Sequence, residues 1–174
     1  MTTAAFVNSV LRFIGLLLAQ VFIFNQVAWG WGGRDYLFII VYPLFLAMLP
    51  LRAPRPLVIL LAFLLGLSID FFSETLGLHA GALTFAAYCR PLILKVVQPR
   101  DGYNIKANPT INDLGSGWMF QYIALILLAH LSAFFLLQTF SVLFITDILL
   151  KTLLSLPASL VVVAVIVLVL NPKA

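Results

Sequence analysis

Few side chains in this 174-residue sequence could do chemistry, and three of them fall in one short stretch. The stretch GLSIDFFSETLGLHAGAL, residues 66–83, carries Asp70, Glu74 and His79 with no Lys or Arg. Two carboxylates and an imidazole could serve acid–base catalysis, hold an ion, meet a solute or dock a partner. Asp70 and Glu74 stand at i, i+4, where a continuous helix would set like charges side by side. The helix is therefore expected to fray near Phe72, with Ser73 or Thr75 capping the next helix before Gly77. The second histidine, His130, lies in a different apolar run without ligand spacing to His79, which favours hydrogen bonding at a helix contact over a metal site. No H-E-x-x-H helix, G-x-S-x-G elbow or phosphate-cradling glycine loop is present. The single cysteine, Cys89, excludes an intramolecular disulfide and reads as a small buried hydrophobe. These residues predict no enzyme, no cofactor and no metal.

The elements that position them must be membrane helices. The chain is 63% hydrophobic and 9% charged, with a mean hydropathy of +1.13. A soluble domain carries about 25% charged residues. Apolar runs recur at roughly the 20 residues that cross about 30 Å of hydrocarbon. The expectation is an all-α polytopic membrane protein in one domain, with six spans at about 6–28, 36–50, 57–72, 77–97, 118–138 and 147–170. The first is expected to be a retained span, because no basic start or A-x-A site precedes it. The Trp/Gly-rich WGWGGRD should turn at the membrane interface, and the polar loop 98–117 should be turns and loop. Residues 140–146 should lie at the interface, which puts Asp147 in the first turn of the last helix, where the dipole favours a carboxylate. Pro157 should kink that helix.

The net charge of +4 comes from basic residues scattered at segment ends, not from a nucleic-acid-binding stripe. With six spans, Arg12, Arg52, Arg55, Arg90, Lys95, Arg100, Lys106 and Lys173 share one side, and Arg34 and Lys151 the other. Eight against two predicts both termini in the cytoplasm, with residues 66–83 at the outer end.

Asp70 then sits in the last turn of the third span, at the negative end of the helix dipole. An intramembrane ionisable residue reads as functional by default. Lys151 is a candidate partner for it, with Asp147 competing at i, i+4. Arg12, about two turns into the first helix, should snorkel to the headgroups or meet a specific partner. Gly77 and Gly81 form a G-x-x-x-G, and Ala82/Ala86 and Ala62/Gly66 repeat the small-residue spacing that lets helices approach closely in lipid. Spans three and four should form a packed hairpin with Asp70 and His79 near its outer tip. In the cytoplasmic loop, Arg100, Asp101, Lys106 and Asp113 could touch a partner or anionic lipid.

At GLSIDFFSETLGLHAGALTFAAY the chain resembles the rod shape-determining protein MreD family of bacteria. The resemblance rests on Gly66, Asp70, Gly77 and Tyr88, in a helix–turn–small-residue-helix layout. It implies the six-helix fold of the substrate-binding components of energy-coupling vitamin transporters. It also implies a non-enzymatic scaffold in the bacterial inner membrane, binding membrane lipids and the single-span shape protein MreC. Through MreC it would link the MreB filament to the cell-wall glycosyltransferase and transpeptidase. The long loop 98–117 and the pairing of Glu74 with Asp70 depart from many members. The alternative is a solute-binding membrane component with Asp70, Glu74, His79 and Lys151 lining a pocket, against which the sequence around them shows no aromatic-plus-amide cluster.

Overall fold

A computed structural model describes residues 3–32, 34–100, 102–103 and 108–170. Asp101, Lys106 and Lys173 lie outside the described residues. The elements in chain order are α1 (Thr3–Phe22), β1 (Ala28–Trp31), β2 (Arg34–Phe38), α2 (Pro43–Met48), α3 (Arg55–Ser73), α4 (Leu78–Val96), α5 (Ile111–Leu114), α6 (Ser116–Thr139) and α7 (Ile145–Leu170). Among the described residues, four segments are helical, long and apolar enough to cross a membrane: Val7–Gln26, Arg55–Ser73, Ser116–Thr139 and Ile145–Val169. The remaining long helix, α4, matches α3 in length, but His79, Arg90, Lys95 and its small residues dilute its apolarity. It packs chiefly between α3 and α6.

The helix expected over 36–50 does not form. Strands β1 and β2 pair antiparallel, Trp29 opposite Leu37 and Gly30 opposite Asp35, with a bulge between Trp29 and Gly30. The chain then runs extended to Tyr42 and turns into the short α2. Pro43 explains the boundary: it has no N–H to donate to a preceding turn, but it suits the first position of a helix. The β-branched and aromatic run before it favours extended backbone.

Residues 40–49 are buried throughout. Non-helical backbone at membrane depth survives only where protein satisfies its polar groups, and here three side chains do so. Ser155 Oγ accepts from the Phe38 N–H at 3.0 Å and Ser159 Oγ from the Ile40 N–H at 2.9 Å. Gln20 Oε1 accepts from the Val41 N–H at 2.9 Å, while its Nε2 donates to the Ile39 carbonyl at 3.2 Å. Ser155 and Ser159, at i, i+4 on either side of Pro157, present one polar stripe to the threaded segment. The loop before α6 also holds a helical turn, α5, whose first amides are capped by Thr110 accepting from the Asp113 N–H.

Candidate functional site

Asp70, in the last turn of α3, is buried. Its Oδ1 accepts from the His79 N–H and its Oδ2 from the Ala80 N–H, both at 2.9 Å. The Thr75 hydroxyl also donates to Oδ1. His79 and Ala80 are the second and third residues of α4, whose N-cap is Gly77 at φ 78°. Gly77 has no side chain to cap with, so Asp70 performs the capping across the turn and meets the positive end of the α4 dipole. The capping expected of Ser73 or Thr75 is corrected accordingly: Thr75 supports Asp70, and Ser73 Oγ accepts from Asn25 Nδ2 at 2.8 Å. Lys151 does not answer Asp70; it donates to Gln138 at 3.3 Å.

The α3–α4 hairpin closes on Gly66. A Cβ there would fall 2.4 Å from Ala80 Cα and 2.6 Å from the His79 carbonyl oxygen, so only glycine lets the two backbones meet. Gly77 and Gly81 do not act as one face. Gly77 supplies a positive φ, whereas Gly81 lies against Leu137 Cδ1 of α6. Glu74 is exposed in the turn at φ 54°, apart from the Asp70 shell. Tyr88 is exposed, with the Arg55 guanidinium 4.4 Å from its ring centre. Asp147 occupies the first turn of α7, and Arg12 is half-buried on α1.

Below the Asp70 shell, the two histidines are brought together by Tyr42, a residue with no local sequence signal. The Tyr42 hydroxyl lies 2.8 Å from His79 Nδ1 and 2.6 Å from His130 Nε2, all three residues buried. One hydroxyl proton can serve only one imidazole, so the other histidine must donate to the tyrosine oxygen. The buried Nδ1 of His130 makes no hydrogen bond of ordinary geometry, with the Ala82 backbone its polar neighbour.

A cavity of about 310 Å³ opens at the hairpin end. Gln20, Asn25, Gln26, Ser73 and His79 supply its polar wall, and Phe24, Phe38, Phe72 and Phe134 its aromatic wall. The aromatic-plus-amide cluster that no local stretch shows is therefore assembled from α1, β2, α3, α4 and α6. Of the four residues expected to line such a pocket, His79 alone does so. Lys151 and Asp147 line a separate cleft with Asp35, Tyr36 and Gln138. No lining residue of the cavity is formally charged, and Asp70 bonds to the backbone of His79 rather than to its ring. That arrangement can bind a neutral group but presents no carboxylate–imidazole catalytic pair.

Comparison with protein-family models, curated proteins and solved structures finds no match. Function must therefore be reasoned from the site itself.

Toward the other end of α4, Arg90 is buried and likewise answered by neutral groups. Its Nε donates to the Tyr122 hydroxyl at 2.7 Å, and one terminal nitrogen to the Leu49 and Pro50 carbonyls at 2.7 and 3.1 Å. Those carbonyls follow α2, so the cation sits at the negative end of that helix. Arg90 is thus an internal tie and not one of the segment-end charges that its place in the sequence leads one to expect.

Proposed function

We propose that the chain is a multi-pass membrane scaffold of the bacterial cell-elongation machinery, as its resemblance to MreD implies. Its partner would be a single-span, MreC-like shape protein, coupling MreB filaments to the cell-wall glycosyltransferase and transpeptidase. In this reading α4 and the buried segment 40–49 also cross the inner membrane. That gives six passages, both termini cytoplasmic, and the hairpin end outside. The observation that carries the scaffold reading is the contrast at that end between a consumed interior and an apolar rim. Asp70 is spent on capping α4, while Phe71 in the last turn of α3, Leu76 in the connection to α4, and Phe140 and Leu143 between α6 and α7 are exposed. Leu76 is fully exposed in a non-helical turn, where an apolar side chain suits a protein-interaction surface.

Depletion in a rod-shaped source organism tests this. Cells should round up and recover their shape on re-expression. Unchanged rods after depletion would refute the elongation role.

A second reading, a solute-binding component of an energy-coupling-type transporter, is favoured by the amide-and-aromatic cavity at the same end. A small molecule that co-purifies stoichiometrically and is lost from Phe134→Ala would support it.

A further inference from the structure

Arg12 has an environment that neither reading uses. It stands about 7 Å into the apolar stretch that begins at Val7, at 1.5 Å per helical residue. It lines a cavity of about 570 Å³ between α1, α2 and α7, whose other walls include Leu16, Leu44, Met48 and Ile166. Among the described residues, the guanidinium is the sole charged group on that lining. The floor beside it is open, because a Cβ on Gly15 would meet nothing within 4 Å.

A cation held at the rim of an apolar groove, with no carboxylate among the described lining residues, calls for an anion carried on an apolar body. We propose that this groove holds one anionic phospholipid, its phosphate on Arg12 and an acyl chain laid along α1 and α7. Arginine suits the role, since its planar fork matches a phosphodiester in two parallel hydrogen bonds. Its stem can follow the apolar wall while the head reaches headgroup depth. In the orientation proposed above, Arg12, Met48 and Val169 all lie toward the cytoplasmic leaflet, where anionic lipids meet basic pockets. A zwitterionic lipid brings its own ammonium to compete with Arg12, so net negative headgroups are preferred.

The test uses the full chain in mild detergent, stripped of lipid and offered equal phosphatidylglycerol and phosphatidylethanolamine, then weighed intact by native mass spectrometry. The wild type should retain phosphatidylglycerol about tenfold over phosphatidylethanolamine. Arg12→Gln should abolish that preference. Gly15→Phe, which fills the groove at an open position, should lower retention of both lipids. Arg52→Gln and Lys95→Gln, cations on a different surface cleft, should leave the preference intact. Equal retention by the wild type, or an unchanged preference in Arg12→Gln, overturns the proposal. So does an Arg12-dependent complex with an acidic membrane helix that added lipid cannot displace, because the groove would then belong to a protein.

Discussion

Asp70 and Arg90 are two buried charges joined to the same helix, yet they stabilise the fold over very different distances along the chain. Each is answered by a helix end instead of a counter-ion, the carboxylate by the first amides of α4 and the guanidinium by carbonyls following α2. Asp70 reaches partners 5 to 10 residues away, inside one hairpin. Arg90 reaches partners 32 to 41 residues away and ties three elements together. A local cap fixes how two helices meet, whereas a remote one fixes where a short, broken segment ends. Low-dielectric surroundings make both worth more than at a water-exposed surface, and make either costly to leave half-satisfied.

The comparison can be broken most severely at the glycine that lets the local cap form. Gly66→Val puts side-chain carbon into the Ala80 backbone, and should cost about 3 kcal/mol or more of stability through overpacking. Loss of folded protein in size-exclusion chromatography, or a steep fall in Tm, is the readout. Arg90→Ala comes next. It strands two carbonyls and the Tyr122 hydroxyl, for about 3 kcal/mol at roughly 1 kcal/mol per unmade bond. Arg90→Lys should recover part of this and no more, since an ammonium cannot span the same fork.

Asp70→Ala uncovers two buried amides, while the half-buried Thr75 hydroxyl can turn to another partner, so the cost should be about 2 kcal/mol, within the range for a lost helix cap. Asp70→Asn keeps one acceptor and should cost about 1 kcal/mol. If both Asp70 variants unfold as readily as Arg90→Ala, the distinction between local and remote capping fails. Smallest of all, Gln26→Ala on the cavity wall should change Tm by less than about 0.5 kcal/mol equivalent, as Gln26 supports neither buried charge.

The same distinction governs what could be read from the sequence. Helices α3, α4 and α6 lie within two residues of their expected bounds, because length and apolarity are local properties. Gly66 and Asp70 were legible as hairpin residues for the same reason. The segment 36–50 was not, since a short buried apolar run has the same appearance as a strand or a helix. Its hydrogen-bond partners Gln20, Ser155 and Ser159 come from both ends of the chain. Tyr42 was invisible as a bridge because neither histidine is near it in sequence. The cavity was missed for the same reason: its amides and aromatics converge only when α1, β2, α3, α4 and α6 assemble.

Asp70 is therefore an architectural residue, and in the proposed scaffold docking would fall to the exposed apolar residues at the same end. The direct test is co-purification of the chain with a co-expressed single-span MreC-like protein, comparing wild type, Leu76→Glu and Gln26→Ala at matched levels of folded protein. A scaffold that docks through its rim should lose about tenfold of the retained partner in Leu76→Glu and keep it in Gln26→Ala. No retention by the wild type, or loss in Gln26→Ala with Leu76→Glu unaffected, would contradict it.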